Sequence, residues 1–160
     1  MARAKKALHK AALEGDVERI EKLIFEGEDV NARDNKGFTA LHEAVFAKKI
    51  ESVRALIKGG ADVNVKDREG CTLLHYASMS EEGIAIELIE KGAKINVRNS
   101  CGNTALHEAV IMGKEKNVKE LIERGADVNV ENDMGKTARD IAEIRRLKKI
   151  KEMIDRLSKF

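Results

Sequence analysis

Four histidines, His9, His42, His75 and His107, are the side chains best suited to chemistry in this chain. A neutral imidazole is a common zinc ligand, and near pH 7 it can serve as a general acid or base. Their spacing argues for neither. They stand 33, 33 and 32 residues apart and so recur once per repeat, whereas zinc ligands must converge on one point at about 2.1 Å. Buried polar groups that recur in this way are structural hydrogen-bonding partners. Other routes to chemistry are missing: there is no Cys-x-x-Cys, His-Glu-x-x-His, Gly-x-Ser-x-Gly or phosphate-cradling glycine loop. Acidic residues are scattered with Lys or Arg three or four places away, the pattern of solvated helix faces. No catalytic, metal-binding or cofactor-binding residue is expected, and the chain is read as a non-enzyme.

The histidines sit inside a repeated phrase. It reads Gly37-Phe38-Thr39-Ala40-Leu41-His42-Glu43-Ala44, then Gly70-Cys71-Thr72-Leu73-Leu74-His75-Tyr76-Ala77, then Gly102-Asn103-Thr104-Ala105-Leu106-His107-Glu108-Ala109. A fourth, altered copy is Gly135-Lys136-Thr137-Ala138-Arg139-Asp140-Ile141-Ala142, and the leading glycines are 33, 32 and 33 residues apart. A second phrase keeps step: Leu23-Ile24 to Val30-Asn31, Leu56-Ile57 to Val63-Asn64, Leu88-Ile89 to Ile95-Asn96, and Leu121-Ile122 to Val128-Asn129. With this period and Thr-x-Leu-His-x-Ala, the chain resembles the ankyrin-repeat family from about residue 4 to about residue 158.

That resemblance implies an all-α solenoid of stacked helix-turn-helix pairs with projecting β-hairpin-like loops. It implies one domain over 1–160, with repeats at about 4–31, 32–64, 65–96, 97–129 and 130–160. It also implies protein binding rather than catalysis, and a histidine that bonds backbone groups across the loops to tie one repeat to the next. The family usually has proline after the threonine, where this chain has Ala40, Leu73, Ala105 and Ala138. Losing a preset φ at the first helical position should trim stability slightly.

Within one repeat, Asp34-Asn35-Lys36-Gly37 is turn chemistry and Thr39 is placed as an N-cap. Helices are expected over 40–47, with Leu41, Ala44 and Val45 packing, and over 51–58, with Val53, Leu56 and Ile57 packing. Gly60 should end the second as a left-handed residue and Val63 should point inward. Asn31, Asn64, Asn96 and Asn129 are expected to bond their own loop backbone. The first repeat reads as an amino-terminal cap with a polar outer side (Lys5, Lys10, Glu14, Glu18, Glu21). The last reads as a carboxy-terminal cap, so the molecule is expected to be complete. There Ile150, Met153 and Ile154 are matched to Val53, Leu56 and Ile57, and Arg139 occupies a leucine position open to water.

The turn between the two helices departs from its pattern. Gly15 and Gly113 give way to Lys48 in the second repeat and Glu81 in the third, where one residue is missing. Those turns should differ in shape, with Gly83 substituting in the third. The last repeat looks shortened at the same place, leaving open a helix pair or one long helix.

Net charge is +2, from 30 basic and 28 acidic residues, so no global field favours nucleic acid or an anionic membrane. No apolar run approaches the roughly 18 residues needed to span a bilayer, and the basic start leads into an amphipathic repeat, not a signal sequence. Cys71 follows the turn glycine of one repeat and Cys101 precedes that of the next, and equivalent points of neighbouring repeats stand about one helix-packing distance apart. That separation, about 8–10 Å, exceeds the ~7 Å limit for a disulfide, so both are read as thiols and the protein as cytoplasmic.

One stripe is not framework: Leu13, Phe46, Met79, Ile111 and Ile144 each follow the repeated alanine by two places. By resemblance this position faces a concave groove, and its apolar character in all five repeats makes it a candidate partner surface. Tyr76 and Met112 lie next to it and Phe38 toward the loop tips. Arg33, Lys36, Lys66, Arg68, Glu69 and Arg98 would supply a polar rim on the tips. The competing reading buries the stripe as core. The expected partner is another protein, bound by a monomer without a cofactor. The alternatives are an engineered or reconstructed scaffold without a natural partner, and a self-associating homo-oligomer, for instance a homodimer through the stripe. A basic cluster, Arg139, Arg145, Arg146, Lys148, Lys149 and Lys151, is read as a solvated cap rather than a nucleic-acid site.

Overall fold

The computed structural model describes residues 2–80 and 83–159, which form ten helices and no strand. The chain comprises two compact units, Met1–Arg68 and Glu69–Phe160. The all-α repeat class expected from the sequence is what is found.

The first unit holds α1 (Ala2–Glu14), α2 (Val17–Phe25), α3 (Ala40–Phe46) and α4 (Ile50–Lys58). First helices stack on each other, α1 on α3, as do second helices, α2 on α4, and each pair is also packed together. Leu8, Leu41 and Leu56 are fully buried with Ile20 and Val53. Ala11 and Ala44, both inaccessible, keep the first helices close. At the end of α4 a Cβ on Gly59 would fall 2.5 Å from Ile24 Cδ1, so α2 packs against bare backbone there.

The second unit repeats the scheme with α5 (Leu73–Ser78), α6 (Ile84–Glu90), α7 (Ala105–Ile111), α8 (Glu115–Glu123), α9 (Ala138–Ile144) and α10 (Lys148–Leu157). Helix α7 lies between α5 and α9, and α8 packs on α10. Leu74, Leu106, Leu88 and Leu121 are buried, again beside alanines (Ala77, Ala109, Ala142). Asn117 is buried in α8, where its amide donates to the carbonyls of Ser78 and Ser80 at the end of α5.

The inter-helix turns correct the sequence reading. Lys48 takes the same left-handed conformation (φ 57°) as Gly15 and Gly113. Its turn also makes the same closing bonds, Lys49 N–H to Ala44 O at 2.9 Å matching Lys114 N–H to Ala109 O at 2.8 Å. Packing of α3 on α4 therefore imposes the turn on a residue that does not favour it. In the third repeat Gly83 is left-handed (φ 76°) and precedes α6 directly, while Glu81 lies outside the described residues.

The last repeat is not shortened either. Its helices are separate, joined through a left-handed Arg146 (φ 58°). Counted from the N-cap threonines, Ile154 is to Thr137 what Leu56 is to Thr39, and Ile150 stands at the place of Ser52 and Asn117. The sequence match to Val53, Leu56 and Ile57 was one residue out of register. Both isoleucines are buried, whereas Met153 is only partly so.

Truncating the packed strip should be costly: Leu74→Ala and Leu106→Ala are each expected to lose about 2–5 kcal/mol in urea unfolding. Lys48→Gly should instead raise stability by about 0.5–1 kcal/mol, because only glycine adopts this turn conformation without strain.

Candidate functional site

The histidines are hydrogen-bonded through the ring, His75 and His107 on both sides of it. Thr39, Thr72 and Thr104 are N-caps, and the backbone N–H of each donates to Nδ1 of the histidine three residues on, at 3.0 Å. This closes a capping box in which histidine replaces the usual Glu or Gln. A nitrogen that accepts cannot carry the proton, so Nε2 carries it. From Nε2 the ring donates to a carbonyl of the next repeat's tip: His9 to Phe38 O at 2.8 Å, His75 to Asn103 O at 2.9 Å and His107 to Lys136 O at 3.0 Å. Nε2 of His42 has no partner among the described residues. Burial lowers the His42 pKa from 6.5 to about 4, and burial likewise lowers that of His107. In the last repeat Asp140 does the capping, its Oδ2 accepting from the Thr137 N–H at 2.9 Å; that bond and the Thr137 hydroxyl hold its pKa low.

Asn31 and Asn96 form a second clasp, and for these two the sequence reading is corrected. They bond the following repeat's loop rather than their own. Asn31 donates to Gly60 O at 3.2 Å and accepts from the Asp62 N–H at 2.8 Å. Asn96 repeats both bonds with Gly125 O and the Asp127 N–H. The own-loop bonds belong to aspartates, with Asp29 accepting from Asn31 N–H and Asp62 from Asn64 N–H.

At the tips, Asp34, Asn99 and Asn132 each accept two backbone N–H bonds through one side-chain oxygen. Each tip also closes a hairpin-like backbone bond, such as Asp34 N–H to Phe38 O at 2.8 Å. Gly102 is indispensable to its tip: a Cβ would lie 2.7 Å from the Asp133 backbone nitrogen.

The candidate partner residues divide between the units. In the first, Leu13 and Phe46 are exposed and Phe38 is half-buried, with Phe38 edge-on to Phe46 at 5.2 Å. Arg33, Lys36, Lys66 and Arg68 are exposed at its tips. Arg33 is also structural, donating to Gly37 O at 3.1 Å and Lys66 O at 2.8 Å, and Arg68 donates to Asn35 O at 3.2 Å. In the second unit Tyr76, Met79 and Ile111 are half-buried, while Met112, Ile144 and Glu69 are exposed. Arg98 is exposed but pairs with Asp133 at 3.0 Å.

Sequence reasoning missed Phe25, which at 92% is the most exposed large apolar residue described. The signal was readable: the other repeats carry Lys58, Glu90 and Glu123 at that place.

Much of the basic cluster is paired. Arg139 makes a two-pronged bond to Asp155 and meets Glu143, Lys151 meets Glu143, and Lys149 meets Glu115. Arg139 is therefore a specific polar contact between α9 and α10. A cavity of about 330 Å³ in the last repeat is lined by Val128, Asn129, Thr137, Arg139, Asp140, Ile154 and Ser158. Cys71 and Cys101 form no disulfide. Among the described residues no cluster of three His, Cys, Asp or Glu could hold a metal, and no helix is long and apolar enough to cross a membrane.

Compared with known families, residues 8–99, 67–132 and 81–156 match the family model described as ankyrin repeats (3 copies). No curated protein matches the chain.

Because His42 and His107 hold a proton less well folded than unfolded, their stabilisation is whole above about pH 6.5. For His42 it should fade as pH falls toward 4, at up to about 1.4 kcal/mol per pH unit, read as a falling melting temperature, and His107 should contribute in the same direction. His107→Ala should cost about 1–3 kcal/mol at pH 7.5, since the Thr104 amide loses its partner and the Lys136 carbonyl one of its two.

Proposed function

The chain belongs to the ankyrin-repeat family, and from that premise we propose that it binds a protein partner through the stripe at the ends of its first helices and through the loop tips. Ankyrin repeats are generally protein–protein interaction modules, and the family is generally non-enzymatic. The observation that carries the reading is the contrast between two sets of recurring positions. Threonine, histidine and asparagine are consumed by bonds within and between repeats. The stripe residues Leu13, Phe46, Met79, Ile111 and Ile144 keep apolar surface in contact with water instead. Large apolar side chains of this kind are the usual anchors of interfaces, at about 2 kcal/mol or more each.

Random linear peptides displayed on phage and selected on the wild-type protein provide the test. Binders should lose at least about tenfold in affinity on Phe46→Ser or Ile111→Ser, equivalent to about 1.4 kcal/mol. Both variants should keep the wild-type circular dichroism, although Phe46→Ser should cost about 1 kcal/mol of stability through its lost contact with Phe38. Binders indifferent to both substitutions would remove the stripe from the site. Sedimentation of a dimer that Phe46→Ser dissociates would replace partner binding by self-association.

A further inference from the structure

We propose that the first unit's loop tips and aromatic pair form a docking site for an acidic peptide segment carrying an apolar side chain, an inference that rests on the protein-binding reading. The apolar floor and the cationic rim belong to one piece of structure. Phe38 sits edge-on to Phe46 at 5.2 Å and against His42 at 5.1 Å. Its backbone is pinned at both ends, N–H to Asp34 Oδ1 and carbonyl to His9 Nε2. The same tip is braced from outside by two guanidinium groups, Arg33 on Gly37 O and Lys66 O, and Arg68 on Asn35 O.

Every one of these braces ends on a neutral carbonyl. A carbonyl fixes the guanidinium in place without cancelling its charge. No ion pair among the described residues involves Arg33, Lys36, Lys66 or Arg68, and all four are exposed. The three carboxylates of these two tips do not balance the four cations: Asp34 has one oxygen engaged by two backbone amides, and no ion pair joins Asp67 or Glu69 to any of the four. The second unit shows the contrasting arrangement, with Arg98 neutralised by Asp133 at 3.0 Å. Uncancelled, preorganised cations beside an apolar pocket favour a ligand that brings both carboxylates and a hydrophobic group. A nucleic-acid strand would need open aromatic faces on which bases stack. Here the two phenylalanines occupy each other edge to face, and the net charge of the chain is only +2.

The experiment uses the full chain and the phage-displayed random peptides. Lys36→Glu/Lys66→Glu reverses charge without touching the Arg33 and Arg68 braces, and its melting curve should match wild type. Selected peptides should be rich in Asp and Glu around a Leu, Ile, Phe or Trp. Their affinity should fall at least about tenfold in the double variant and on raising the salt from low to molar concentration. Phe46-dependent peptides without an acidic excess, or with affinity unchanged in the double variant, would overturn this inference and leave the protein-binding reading standing. Peptides that depend on Ile111 but not on Phe46 would likewise overturn this inference alone, and absence of any peptide dependent on either residue would overturn both. A labelled thymidine oligonucleotide that displaces the peptides at comparable concentration would also overturn the peptide assignment, in favour of nucleic acid.

Discussion

A neutral imidazole that caps a helix start, bonds the next repeat's tip or, as His75 and His107 do, joins the two is the contact on which the rest of each unit depends. One ring nitrogen must accept and the other must donate, and only the neutral tautomer with its proton on Nε2 does both. The accepting side ends a helix at Thr39, Thr72 or Thr104; the donating side fixes how far along the next carbonyl must stand. That carbonyl belongs to a tip whose shape is set by Asp34, Asn99 or Asn132, each gathering two amides on one oxygen. Helix start, tip shape and repeat spacing are therefore solved together. Burial holds the His42 and His107 rings neutral, which ties those positions to pH.

The altered last copy of the phrase follows the same logic. Asp140 accepts as His107 does, so the helix is still capped, but a carboxylate has no hydrogen to send onward. Arg139, at the place of Leu106, turns to Asp155 and Glu143 instead of a core. Two substitutions that look like damage in the sequence replace onward packing with local polar contacts. His42 stands at the opposite extreme, its ring fully buried and its Nε2 without a partner among the described residues.

Because the framework engages its polar side chains so completely, what is left over becomes informative. The stripe residues and the uncancelled tip cations are not required by the clasps, and no packing argument accounts for their chemistry. Arg33 and Arg68 show how one residue can serve both ends: the guanidinium is spent on carbonyls, the charge is not.

The sequence by itself determined the repeat class, the helix pairs, the N-cap threonines and the shared role of the histidines, because each follows from a local rule repeated in register. It placed Leu41, Leu74 and Leu106 in the core for the same reason. What it could not decide were the matters settled by neighbours. Nothing local says whether an Asn side chain turns back to its own loop or forward to the next; the distance between stacked repeats decides that, and Asn31 and Asn96 reach forward. Nor does local propensity reveal that Lys48 and Arg146 accept a glycine's conformation, since helix packing closes those turns whatever residue is there. The pairing of Arg139 and the bracing of the tip by Arg33 are likewise tertiary facts. They depend on which atoms of distant segments arrive at the same place, which residue types and spacing alone do not specify.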